Sequence, residues 1–383
     1  MIDIDKLINE AKAKTGLQDF GSDDFLQPLR ILIDALENEA NFNDVGKFRA
    51  ELTIQNGLSN RLLIEDYIKQ HPEVLQLKID RPIFIAGLPR TGTTALHHML
   101  NHDPANHTLR LWEGQNPVPP PEKATYLTDP RIAKTQQSVA MTEQFLPGFF
   151  KTHLLDAEEP DECHLLFNRN FMSVEYSANY HIPSYANWLY AQDLTASYAY
   201  HKRQLQLLQH KKPGRWVLKT PLHQLGVEAI LKNHPDAIIV QTHRAPLTFV
   251  ASGCSFSMVI RQGGSDHIDP LQVGRDWMDM LHIYTTTFEA ARAKLEPQHP
   301  GQFIDVYHDE FVQNPWPGIE KIYQATGAKL GDEGRASMQR WLDEHPQGKH
   351  GKHEYRLEDY GITRAEVEDL FGAYVERYGL TME

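Results

Sequence analysis

Several features that would point this chain toward particular roles are scarce or missing. Two cysteines, Cys163 and Cys254, cannot build a disulfide framework in 383 residues, and lone thiols suit a reducing compartment. Basic charge is in deficit: 38 Lys and Arg stand against 51 Asp and Glu, a net charge of −13 with His neutral. A nucleic-acid partner calls for a dominating basic surface that displaces counterions, so none is expected. No uncharged apolar stretch approaches the roughly 20 residues of a membrane-spanning helix. The opening MIDIDKLINEAK carries charges where a secretory signal needs an apolar run, which makes a cytoplasmic location the expectation. Internal repeats and low-complexity tracts are missing too. What is present is ordinary globular material, 41% hydrophobic and 23% charged, in a chain long enough to bury a large core. The acidic total does not exclude an anionic ligand, because a phosphate site needs only a few local cations and oriented amides.

Residues 1–78 read as a helical segment, with Leu26, Leu29, Leu32, Ile33 and Leu36, then Leu62, Leu63, Tyr67 and Ile68, at helical spacing. The character changes at Pro82-Ile83-Phe84-Ile85-Ala86-Gly87, a continuous apolar run ending in glycine, as expected of a strand buried on both faces. A helix over Thr91 to Asn101 follows. The same grammar returns at Trp216-Val217-Leu218-Lys219, followed by a helix over about 222–233, and at Ala237-Ile238-Ile239-Val240-Gln241, followed by a helix beginning near Pro246. Phe303-Ile304-Asp305-Val306-Tyr307 supplies a further strand. This alternation predicts an α/β domain over 79–383, a central parallel sheet with helices on both faces. Residues 115–215 break the pattern. Pro117 and Pro119 to Pro121 stiffen a loop, and the aromatic-rich stretch to Tyr200, with Phe167, Phe171, Tyr176, Tyr180, Tyr185, Trp188 and Tyr190, reads as helical hairpins, an insertion of a size to cover the mouth of the sheet. Trp277, Leu281, Tyr284 and Phe288 share one face of a helix over about 270–293, where core packing is the simplest role.

The strongest chemical signal is Gly87-Leu88-Pro89-Arg90-Thr91-Gly92-Thr93-Thr94, set between a buried strand and a helix. Glycines permit the tight turn, the helix start presents free N–H groups and a positive dipole end, and three threonine hydroxyls add donors. An ordinary phosphate-binding loop places Lys and then Ser or Thr after its second glycine to hold the β/γ-phosphates and Mg²⁺. Here Thr93 occupies the lysine position and the cation sits inside the loop as Arg90. The loop is built for an anion and poorly built for ATP–Mg²⁺ chemistry.

Pro89-Arg90-Thr91-Gly92-Thr93-Thr94 resembles the 5′-phosphosulfate loop, Pro-Arg/Lys-Ser/Thr-Gly-Thr-Thr, of sulfotransferases that use 3′-phosphoadenylyl sulfate, in particular their bacterial sulfotransferase-like branch. The resemblance spans about residues 80–360 and implies a P-loop NTPase-like fold, with 3′-phosphoadenylyl sulfate as co-substrate and no metal. A sulfuryl group carries less charge than a phosphoryl group, so amides, hydroxyls and one or two cations can suffice. The family's second signature, an arginine at a strand end and a serine eight residues later, implies that Arg244 and Ser252 hold the 3′-phosphate. His308 falls where family members place an aromatic against adenine. Lys349 and Lys352, in Gln347-Gly348-Lys349-His350-Gly351-Lys352-His353, resemble the terminal basic loop that folds over the 3′-phosphate, although a solvated linker fits the same residues.

Two residues compete to deprotonate the acceptor. Leu218-Lys219-Thr220-Pro221-Leu222-His223 stands where the family carries a lysine segment with a nearby histidine; Pro221 occupies the usual histidine position and His223 lies two residues further on. His223 is thus either the base or a structural side chain, and Lys219 a helper at the phosphates. Glu113, in Leu111-Trp112-Glu113, comes from the part of the chain that supplies a glutamate base in members acting on protein tyrosine and on sugars. The expected activity is in-line transfer of a sulfuryl group to a small-molecule hydroxyl acceptor. A P-loop kinase or NTPase, and an adenosine-nucleotide-binding protein without turnover, are the alternatives. Trp112, Phe149, Phe150, Tyr180 and Trp188 are candidates to line the acceptor pocket, or equally to form the core of the insertion.

Overall fold

The computed structural model describes residues 2–145, 150, 155–345 and 356–383. Two compact units share the chain: Met1–Ile79 with Leu109–Gly214 and Val259–His267, and Asp80–Thr108 with Arg215–Met258 and Ile268–Glu383.

The second unit holds the sheet. Among the described residues five strands, β1 (Ile83–Ile85), β2 (Asn106–Thr108), β3 (Arg215–Lys219), β4 (Ile238–His243) and β5 (Phe303–Tyr307), lie in the order β2-β3-β1-β4-β5, with every pairing parallel. Ile83, Phe84 and Ile85 are wholly buried, as a central strand covered on both faces requires. On one face Leu96, Met99 and Leu100 of the helix Thr93–Asn101 pack with Ile83, Ile85, Val217, Ile238 and Val240. On the other, Phe84 meets His223 and His234 at ring separations of 5.0 and 5.5 Å. Because β1 has β3 on one side and β4 on the other, its C-terminal end opens on the crevice where parallel α/β sheets bind ligands.

Strand β2 has no counterpart in the sequence reading. Asn106-His107-Thr108 lacks the apolar run that marks a buried strand; tertiary partners hold it instead. His107 stacks on Trp216 with ring centres 4.0 Å apart, and the Asn106 amide donates to the Leu100 carbonyl at 2.8 Å. The helix Pro270–Leu295 does bury Trp277, Leu281, Tyr284 and Phe288.

In the first unit the helices Ile4–Thr15, Leu26–Glu39 and Asp44–Gln70 bury Leu29, Leu32, Leu36 and Leu62 along their apolar stripes. Arg61 is buried among them. Its guanidinium donates to the carbonyls of Phe20 and Ser22 and to Asp24, each at 2.8 Å, so the charge is paired as burial demands. The insertion is helical, as expected, and its Phe167, Phe171 and Tyr185 are wholly buried. Among the described residues no helix is long and apolar enough to cross a membrane.

Gly253 lets the helix Pro246–Gln262 approach the Trp277 indole so closely that a Cβ at that position would overlap the ring. Overpacking of this kind costs about 1–3 kcal/mol. Gly253→Ala is therefore expected to lower the unfolding free energy by that amount, read as a fall in the denaturant midpoint in chemical unfolding, and an unchanged midpoint would contradict the packing described.

Candidate functional site

The turn after β1 is held by interactions that only small residues permit. A Cβ at Gly87 would overlap the Thr242 hydroxyl, and one at Gly92, whose φ is +95°, would come within 3.0 Å of the His308 ring. Arg90 is left-handed as well, with φ +69°. The Thr91 hydroxyl lies 2.6 Å from the Leu88 carbonyl and 2.5 Å from the Thr242 hydroxyl of β4, which ties the loop to the neighbouring strand. Thr91 is thus a stitch in the loop, while Gly92 caps the helix whose first residues are Thr93 and Thr94. The free amides of that first turn and its dipole suit an anion.

The second arginine meets this loop directly. Arg244, one residue beyond β4, donates from Nη1 to the Arg90 carbonyl at 3.0 Å. Arg90 in turn donates from Nε to the Ser252 hydroxyl at 3.2 Å, with its guanidinium 5.3 Å from the centre of the Phe256 ring. The residues expected at two ends of a ligand therefore lie along one edge of the sheet and touch. Phe256 escaped the sequence reading, although it sits one helical turn after Ser252 and shares its face. On the other side of β1, Lys219 at the end of β3 donates from Nζ to the Thr94 hydroxyl at 3.3 Å. Arg244, Arg90 and Ser252 thus meet on one side of β1, Lys219 meets Thr94 on the other, and His308 lies beside Gly92, all near the C-terminal ends of β1, β3, β4 and β5. Two half-buried guanidiniums in one neighbourhood are suited to holding an anion.

His223 lies in the turn after β3, wholly buried, with its ring edge-on to Phe84. The next residue, Gln224, donates its side-chain amide to the Ala86 carbonyl, which fastens this turn to the end of β1. Glu113 belongs to the other unit. It is wholly buried, so it is no solvated loop charge. Its Oε2 accepts from the Arg110 backbone N–H at 3.0 Å at the start of the helix Leu111–Gln115, and its carboxylate also hydrogen-bonds the Tyr126 hydroxyl. Tyr126 is flanked by Arg110 and Lys212, at 4.7 and 4.0 Å from its ring centre. Burial lowers the Lys212 ammonium to about 8, against the pull of Glu113.

Of the aromatics named for an acceptor pocket, Trp112 is buried beneath the Arg131 guanidinium, and Tyr180 is buried with its hydroxyl donating to the Gly46 carbonyl at 3.2 Å. Both serve the core of their unit. Phe150 and Trp188 are half-buried. Phe149, Lys349 and Lys352 lie outside the described residues.

Burial pushes the His308 imidazole below its ordinary value, and the Arg244 guanidinium pushes in the same direction, while Asp309 opposes them. Folding thus favours the neutral ring. Its stabilisation is complete above the unfolded value near ~6.5 and is lost as pH falls below that value. An NMR titration is expected to place the His308 midpoint below that of a free histidine and to move it upward in Arg244→Ala. A midpoint indifferent to Arg244 would separate the two side chains.

Comparison with known proteins agrees with this geometry. Residues 82–332 match the family described as "Sulfotransferase family". The structure is similar to that of sulfotransferase STF1 from Mycobacterium tuberculosis H37Rv (type1 form), with 36% identity, a TM-score of 0.86, and coverage of 97% of this chain and 99% of that one. It is also similar to sulfotransferase STF9 from Mycobacterium avium, with 30% identity, a TM-score of 0.91, and coverage of 100% of this chain and 98% of that one. No curated protein sequence matches the chain. The loop after β1, the sheet order and these likenesses together establish that the chain belongs to the sulfotransferase family and is a transferase of sulfuryl groups.

Proposed function

We propose that the sulfuryl donor is 3′-phosphoadenylyl sulfate and that the acceptor is a small molecule bearing a hydroxyl. The observation that carries this reading is the contact chain Arg244–Arg90–Ser252, which sets two guanidiniums and a serine hydroxyl beside the first turn of the helix after β1. A donor charged at both its 5′ and 3′ positions matches that extended cationic edge. Thr93, Thr94 and the free amides of the loop hold the 5′-phosphosulfate, with Arg90 and Lys219 neutralising charge that grows on the oxygen between phosphorus and sulfur. Arg244 and Ser252 hold the 3′-phosphate, and His308, packed against Gly92, borders the adenosine. Divalent metal has no assigned part, since the loop carries Thr93 in place of the lysine that accompanies Mg²⁺.

In the transfer the acceptor oxygen forms a bond to sulfur while the bond from sulfur to the bridging oxygen breaks, and adenosine 3′,5′-bisphosphate leaves. Catalysis of this type rests on positioning and preorganised charge. We assign the acceptor's proton to His223. It stands in the turn that follows Lys219, and Lys219 contacts Thr94 of the donor loop. Glu113 is the second candidate, already engaged by the Arg110 amide and the Tyr126 hydroxyl.

Calorimetry with adenosine 3′,5′-bisphosphate tests the donor assignment. Charge-assisted hydrogen bonds contribute about 1.5–3 kcal/mol, so Arg90→Ala and Arg244→Ala are each expected to weaken binding by roughly 10- to 100-fold. ATP, which has no 3′-phosphate, is expected to bind more weakly than the bisphosphate and to be insensitive to Arg244→Ala. Equal response of both nucleotides to that change would remove the 3′-phosphate assignment. For the base, His223→Asn is expected to lower kcat by about 10²–10⁴ with bisphosphate affinity retained. A larger loss in a folded Glu113→Gln variant would transfer the role to Glu113.

A further inference from the structure

The sheet ladder between β4 and β5 ends at the register pair His243 and Tyr307, and the next residue on each strand is one of the donor-site residues, Arg244 and His308. Past that pair no strand pairing orients the two side chains. A buried side-chain network begins at this point. His243 is wholly buried, and both ring nitrogens are engaged: Nε2 lies 2.8 Å from Asp305 Oδ1 on β5, and Nδ1 lies 2.9 Å from the Tyr374 hydroxyl on the C-terminal helix Arg364–Tyr378. The ring is stacked 5.1 Å from Tyr307 and lies 4.1 Å from Tyr378, one helical turn beyond Tyr374.

Asp305 is itself fixed. Arg292 grips both of its oxygens, at 2.5 and 2.9 Å, and is braced by Glu296 and Gln241. Burial alone would raise the Asp305 carboxyl, but His243 and Arg292 hold it well below the usual carboxylate range, so the carboxylate persists as an acceptor. Burial also pushes the Tyr374 hydroxyl well above its ordinary value and keeps its proton in place. Such a fully paired network costs little to bury and admits one arrangement of the imidazole. Rotation of that ring, on the residue before Arg244, would break two hydrogen bonds.

We infer that Tyr374 is a positioning residue for the 3′-phosphate end of the donor site, acting through the His243 ring, which it shares with Asp305, on Arg244. This inference rests on the assignment of Arg244 to the 3′-phosphate. The C-terminal helix thereby takes part in donor recognition without touching the donor. Its hydroxyl fixes the imidazole from one side and the Asp305 carboxylate fixes it from the other.

Tyr374→Phe removes one oxygen and keeps the ring that packs against Phe371 and Tyr378. The informative quantity is the ratio of affinities for adenosine 3′,5′-bisphosphate and adenosine 5′-monophosphate, measured by calorimetry on the full chain. That ratio isolates the 3′-phosphate. Loss of one hydrogen bond corresponds to as much as about tenfold. Tyr374→Phe is expected to reduce the ratio severalfold, with monophosphate affinity unchanged, and to raise KM for 3′-phosphoadenylyl sulfate while leaving kcat at saturation intact. Asp305→Asn, acting on the opposite side of the ring, is expected to reduce the same ratio. A parallel loss of affinity for both nucleotides, or no loss for either, would assign Tyr374 to fold stability alone and overturn the inference. An unaltered ratio in Arg244→Ala would instead overturn the 3′-phosphate assignment on which it depends.

Discussion

The structure of the site depends on how the turn after β1 is secured to β4. The Thr91 and Thr242 hydroxyls meet 2.5 Å apart, Gly87 leaves the space for that meeting, and Arg244 donates to the Arg90 carbonyl. Parallel strands present all their C-terminal ends at one edge, so a loop leaving β1 needs only these lateral ties to align its amides with side chains from three neighbours. The tie between Thr91 and Thr242 is made by short hydroxyls, which lose little conformational entropy on ordering, whereas the Arg244 tie orders a long side chain.

From that constraint follows a division of labour among the loop residues. Thr91 is spent on the turn itself. Gly92 admits the His308 ring, and Thr93 and Thr94 begin the helix after β1. Arg90 reaches sideways to Ser252 and lies over Phe256, so its charge is held laterally in a left-handed backbone geometry that few residues other than glycine adopt. Preorganisation of this kind is what sulfuryl transfer asks of a protein, because charge shifts toward the leaving phosphate and fixed dipoles answer it without rearrangement.

The two proton-acceptor candidates show how burial reshapes a reading made from residue type. Glu113 and His223 each carry an obvious structural duty, one accepting from the amide at a helix start, the other against Phe84. Trp112 and Tyr180, which read equally well as pocket or core, are core. Their hydroxyl and indole chemistry gave no way to separate those outcomes, since an aromatic facing a ligand and one facing a helix have the same local sequence.

Taken by itself, the sequence determined the β1 strand, the loop Gly87 to Thr94, the Arg244–Ser252 spacing and the alternation that specifies a parallel sheet. Each is written in contiguous residues, where periodicity and turn chemistry are local properties. Only the tertiary structure decided the rest. Strand β2 exists because His107 finds Trp216, a partner more than a hundred positions away. Phe256 and the His243–Asp305–Tyr374 network become visible only when strand ends and a C-terminal helix converge. Hydrogen bonds and ring contacts between distant segments leave no periodic trace in the chain, so folding alone could disclose them.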